Sequence, residues 1–215
     1  MTKTVDSGID LAFKDLSQKD AYKILCSVVV PRPIALVTTL APNGAVNAAP
    51  FSFFNAFSEA PPLVVLGLQS RDGAMKDTTA NVRRTGEFVV NLVSEDIAEG
   101  MNRCAIDFPA DVGELAHAGF TPAPSRDVAV PALAEAPVAL ECRQFMMINL
   151  SPERDLLVGQ VLRVRAREGI IDPETLYLDI DAYKPVARLF GSGYAGLGPK
   201  FDLTREPYDP AKHGG

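Results

Sequence analysis

The 215-residue sequence contains no tryptophan, two histidines and three cysteines. Cys26, Cys104 and Cys142 are far apart, form no C-x-x-C pair and have no histidine at ligand spacing. A zinc ribbon, an iron–sulfur centre and a disulfide scaffold therefore lose support, and no metal site is expected. Histidine chemistry would rest on His117 alone, because His213 sits in the AKHGG tail. Positive charge is also scarce, with 21 Lys and Arg against 27 Asp and Glu. A net charge of −6 argues against nucleic acid as a partner. No apolar run approaches the roughly 18 residues a membrane helix needs. The greasiest stretch, 24–40, is broken by Ser27 and by Pro31-Arg32-Pro33. The start, MTKTVDSGID, has no apolar signal-peptide core, so a cytoplasmic location is expected. Internal repeats and dividing linkers are missing as well.

What is present is a large apolar fraction, 47% of residues, enough for a core without metal or disulfide support. Residues 1–16 read as an arm. Ser17 followed by Asp20 predicts a capped helix over about 18–27. IALVTTL (34–40) and AVNAAPFSFF (45–54) read as strands around Asn43-Gly44, a hairpin signal in which both turn residues tolerate positive φ. Pro50 within the second run argues for an edge or a bulge. LVVLGLQ (63–69) and EFVVNLV (87–93) read as strands, and residues 76–85 as a polar helix stopped by Gly86. A helix begun by Ser94 is expected over 94–105, then irregular structure to 137. Strands follow at 138–150, 156–167 and 175–183. Long strands with short helices predict a mainly β fold, an antiparallel barrel with helices outside it. With no G-x-G-x-x-G after the first strand, a Rossmann fold is not supported.

Three stretches could carry chemistry. In the first, a strand ends at Ser70, a loop carries Arg71, and a helix begins near Lys76, Asp77 and Thr78. A helix start exposes N–H groups suited to a phosphate, and the basic side chains add charge-assisted contacts. The bland alternative is a capped surface helix with solvated lysine and arginine. The second is Phe51-Ser52-Phe53-Phe54. Strand alternation puts Ser52 and Phe54 on one face and Phe51 and Phe53 on the other. A bulge there would aim Ser52 at a planar ligand, whereas three phenylalanines in a strand usually belong to a core. The third is Arg188 to Tyr194, where Gly191 and Gly193 flank a serine and permit close backbone approach. By itself that reads as a turn. Ser52 stands in no G-x-S-x-G elbow, so hydrolase chemistry is not indicated.

Together these stretches resemble the flavin reductase-like family of FMN-binding split barrels. The resemblance is carried by PRPIALVTTL (31–40), AAPFSFFN (48–55) and KDTTANVRRTGEFVVN (76–91), with looser agreement at AGFTPAPS (118–125), VALEC (138–142) and RLFGSGY (188–194). It implies an antiparallel split β-barrel over 17–208, an N-terminal arm at 1–16 and a tail at 209–215. It also implies FMN, with the phosphate near Ser70, Arg71, Lys76, Asp77 and Thr78, and Asn81 one turn on. Ser52, Phe53 and Phe54 would approach the ring and ribityl chain. Gly191 and Tyr194 would lie near the ring, supplied by the partner subunit of a homodimer.

The implied activity is NAD(P)H-dependent reduction of FMN, with reduced flavin passed to a flavin-dependent monooxygenase. Because the flavin is itself the electron sink, no catalytic acid or base is assigned. An FMN-holding electron carrier of the flavoredoxin kind, without direct NAD(P)H oxidation, is the alternative. A flavin-free interaction module is a third reading.

Overall fold

The computed structural model describes residues 8–70, 75–106 and 114–209. Arg71, the first seven residues of the arm and residues 210–215 of the tail lie outside them. The main sheet has seven antiparallel strands in the order β3-β2-β6-β9-β10-β5-β4. These are β2 (Ala35–Leu40), β3 (Val46–Phe51), β4 (Phe54–Glu59), β5 (Pro62–Gln69), β6 (Glu87–Leu92), β9 (Val138–Ser151) and β10 (Arg154–Ala166). A smaller sheet joins β1 (Arg32–Pro33), β11 (Ala187–Arg188) and β12 (Tyr194–Ala195), and a third pairs β7 (Pro122–Ala123) with β8 (Ala132–Leu133).

Strands β2 and β6 are buried along almost their whole length, on both faces. In β2, Ala35 and Val37 join Leu66, Leu68, Phe88, Val90 and Leu157 in one cluster, which Val82 of α2 (Asp77–Thr85) completes. Leu36 and the preceding Ile34 point the other way. They pack with Met101 of α3 (Ala98–Arg103), Leu115 of α4 (Glu114–Ala118) and Phe120. Thus β2 divides two cores, and the helices cover the sheet. No helix among the described residues is long and apolar enough to cross a membrane.

Several local expectations hold. Helix α1 runs Gln18–Val28, and the Ser17 hydroxyl oxygen accepts the Asp20 amide. Gly86 stops α2 in the left-handed region at φ 70°. Pro50 lies in β3, an edge strand, where its missing N–H breaks no ladder.

Others are corrected. The expected strand 45–54 is two strands, broken at Ser52 and Phe53, so the alternation assigned across them does not apply. Those two strands are the opposite edges of the sheet. No ladder pairs β3 with β4 among the described residues, so the sheet is open there and no closed barrel forms. In the 41–45 turn only Gly44 has positive φ, at 82°. Ala41 accepts its amide at 3.0 Å, and Asn43 keeps negative φ while its side chain accepts the Ala45 amide.

Ser94 does not cap a helix. Its hydroxyl donates to Asp96, and a short 3₁₀ turn, Glu95–Ile97, precedes α3. Residues 175–183 are not a strand either. Asp179 accepts the Asp181 and Ala182 amides and starts α5 (Ile180–Tyr183), while Leu176 turns at φ 61°. A side-chain oxygen that captures nearby amides competes directly with a ladder.

Candidate functional site

The break between β3 and β4 creates a corner. Phe51 ends one edge strand, Phe54 begins the other, and the two intervening residues turn the backbone across the sheet. The Phe53 carbonyl accepts the Gly67 amide of β5 at 2.7 Å. A Cβ on Gly67 would stand 3.1 Å from the Phe53 Cβ, so glycine lets the corner settle against β5.

A groove of about 160 Å³ opens at this corner, walled by Tyr22, Phe51, Ser52, Phe53, Lys76 and Arg154 among others. The Tyr22 and Phe53 rings are tilted neighbours with centroids 6.2 Å apart. Partial burial, aided by the Cys26 thiol, raises the Tyr22 phenol above its ordinary value, so it stays protonated. Lys76 immediately precedes α2, and its own side chain does not cap the first amides. Those N–H groups, Lys76 and Arg154 bring positive charge to a groove that Tyr22, Phe51 and Phe53 also line.

An adjoining lobe of about 420 Å³ shares Tyr22 and Arg154 and adds Lys19, Ser70 and Glu153. Ser70 is buried there, and its amide donates to the Glu153 carbonyl at 2.9 Å. Ser52, Phe53 and Lys76 therefore line one groove and Ser70 lines its extension.

The remaining expected residues stand elsewhere. Thr78 and Asn81 are buried beneath α2, where Asn47 donates to Thr78 Oγ1 at 3.1 Å and Asn81 donates to Thr39 Oγ1 at 3.1 Å. They brace α2 against β2 and β3 and do not line the groove. Asp77 is exposed in the first turn of α2. Phe54 packs against the Leu66 core cluster.

Gly191 lies in the turn between β11 and β12, and Tyr194 begins β12 of the small sheet. Gly191 turns at φ 58°, and Arg188, which donates to its carbonyl, lies 4.4 Å from the Tyr194 ring centroid. Neither residue lines the groove of its own chain.

Arg32 escaped notice in the sequence. It is 6% exposed and donates to the Cys26, Val29 and Leu189 carbonyls at 2.7 to 2.8 Å. Its Nε donates to Ser52 Oγ at 3.4 Å. The available signal was a lone arginine between two prolines inside the most apolar stretch of the chain. Tyr22 and Arg154 carried no comparable signal, since each lies in an ordinary helix or strand.

The chain belongs to the flavin reductase like domain family, whose model matches residues 27–187. It is 43% identical over 195 residues to the protein YwrF of Bacillus subtilis strain 168, covering 88% of this chain and 95% of that one. Among solved structures, it is similar to nitrilotriacetate monooxygenase component B from Bacillus cereus, with a TM-score of 0.88 and 33% identity over 93% and 100% of the two chains. It is also similar to 2-nitrobenzoate 2-nitroreductase NbaA from Pseudomonas fluorescens, with a TM-score of 0.86 and 37% identity over 94% and 98%.

Proposed function

We propose that this chain is an FMN-binding split barrel acting as an NAD(P)H-dependent flavin reductase, with FMN held in the Ser52–Phe53 groove. The observation that carries the reading is the groove's composition. Tyr22, Phe51, Phe53 and the backbone corner line it together with two cations, Lys76 at the start of α2 and Arg154. That donor set matches a flat ring joined to a phosphate, and an acidic chain gives no general reason for cations to gather there.

When bound, the flavin supplies the acceptor for a hydride from NADH or NADPH. The protein's part is to bind and orient. Phe53 and Tyr22 would confine the ring, Ser52 would offer a hydroxyl at its edge, and Lys76 would neutralise the phosphate, with Arg71 proposed from the sequence alone as a second cation for it. Ser70, Asp77, Thr78 and Asn81 shape the phosphate end from beside or beneath it. Gly191 and Tyr194 reach the ring from the second subunit of a homodimer. A monooxygenase would be the recipient of the reduced flavin, a role consistent with the monooxygenase component among the similar structures. The setting is the cytoplasm.

The test is a visible spectrum of protein loaded with FMN, desalted, and then mixed anaerobically with NADH or NADPH. Flavin bands that bleach support the reductase. Retained bands that do not bleach overturn it in favour of an electron carrier. With no retained bands, turnover of added FMN supports a reductase that uses flavin as a passing substrate, and no turnover overturns flavin chemistry here.

A further inference from the structure

We propose that Arg32 is a positioning residue for the groove: it fixes the Ser52 hydroxyl as a donor aimed at the ligand. The inference rests on the groove binding FMN. A guanidinium has only donors, so Ser52 Oγ must accept from Arg32 Nε. The serine's own hydrogen is then left for another acceptor. Among the described residues Ser52 donates to no protein atom, while it lines the groove.

The charge behind this serine is unusual. Arg32 is buried, and among the described residues it pairs with no carboxylate. Three carbonyls hold it instead. Those of Cys26 and Val29 lie at the C-terminal end of α1, whose negative pole suits a cation. The third, Leu189, begins the turn that carries Gly191. One side chain thus fastens the helix bearing Tyr22, the corner bearing Ser52 and the small sheet. It also leaves net positive charge behind a donor at the groove wall. Reduction adds electron density to a flavin ring, so this donor holds the reduced form more tightly than the oxidised form.

The experiment compares wild type, Ser52→Ala, Arg32→Lys and the double variant. It reads FMN affinity, the midpoint potential of the bound flavin, and the melting temperature of the FMN-free protein. Lysine keeps the charge and three donors for the three carbonyls, but has no counterpart of Nε for Ser52.

Each single variant is expected to weaken oxidised FMN about tenfold and reduced FMN about tenfold further, a fall of about 30 mV in the two-electron potential. The double variant is expected to match Ser52→Ala. Ser52 is half-buried, so water in the groove can replace it as acceptor for Arg32 Nε; the melting temperature of Ser52→Ala should fall by no more than about 2–4 °C, which separates positioning from support of the fold. Unchanged affinity and potential in Ser52→Ala, or fully additive losses in the double variant, overturn the inference.

Should Arg32→Lys fail to fold, nitrogen-15 spectra of wild type and Ser52→Ala decide. The Arg32 Nε–H resonance is expected to shift on FMN addition in wild type and not in Ser52→Ala. A resonance that stays fixed in wild type overturns the inference. Wild type that binds no FMN overturns the reading beneath it as well, so the two failures are distinct.

Discussion

Gly67 donates its amide to the Phe53 carbonyl at 2.7 Å, and the space between their side-chain positions is too small for an added methyl group without adjustment. Gly67→Val would push Phe53 out of place. Overpacking of this kind costs about 1–3 kcal/mol. Urea unfolding should show that loss, and FMN titration should show at least a tenfold weaker complex. FMN affinity equal to wild type would mean that Phe53 does not set the shape of the groove.

Lys76→Ala should weaken FMN about tenfold, near 1.4 kcal/mol, while leaving riboflavin affinity almost unchanged. The difference arises because only FMN carries the phosphate that the lysine and the first turn of α2 would meet. Lys76 is exposed, so raising salt should shrink its contribution. Parallel fluorescence titrations with the two flavins measure this. Equal losses for both would move Lys76 away from the phosphate.

Asn81→Ala should act on stability. Asn81 is 4% exposed and its side chain is tied to Thr39 at 3.1 Å, beneath the helix that carries Lys76. Losing a buried polar contact costs about 2 kcal/mol, roughly 4–8 °C in Tm for a chain this long. FMN affinity of the folded variant should stay within about threefold of wild type. A large affinity loss with an unchanged Tm would place Asn81 in the groove instead.

Alkaline pH should unfold the protein partly through Cys142. Burial, with a smaller push from the Glu141 charge, raises its thiol to about 12 from an ordinary 9.0. Above pH 9 the unfolded thiol releases its proton while the folded one keeps it. The unfolded state then binds fewer protons, and stability falls as pH rises from about 9 towards 12. Burial raises the Tyr183 phenol to about 12 from 10.0, which adds a second decline beginning near pH 10. Urea unfolding across pH 8–11 should give a wild-type slope steeper than that of Cys142→Ala by up to about 1.4 kcal/mol per pH unit. Identical slopes would show that the thiol ionises alike in both states.

Much of the fold was legible because its strands are long and locally consistent. VALECRQFMMINL and LLVGQVLRVRAR could hardly be anything but strands, and Gly86 punctuates α2 where its freedom is needed. The corner was hidden by continuity, since AVNAAPFSFF carries no glycine, asparagine or aspartate where the strand breaks. What breaks it is tertiary, the docking of Phe53 onto β5. The strand expected over 175–183 failed for a local reason, the capping oxygen of Asp179.

The site was half legible. Lys76 follows from the helix start, and Ser52 and Phe53 from their motif. Thr78 and Asn81 look alike in sequence whether they face a phosphate or a neighbouring strand, and here they face Asn47 and Thr39. Tyr22, Arg32 and Arg154 come from three separate elements, and only folding brings them together.

The seam between β3 and β4 also divides labour within the molecule. The ladders that hold the sheet run through β2, β6, β9, β10 and β5, and none of them crosses the Ser52–Phe53 corner. A change in those two residues alters the bore of the groove while the load-carrying girders stay intact. Side-chain changes at this two-residue plate would therefore resize the groove, with the frame left as it stands.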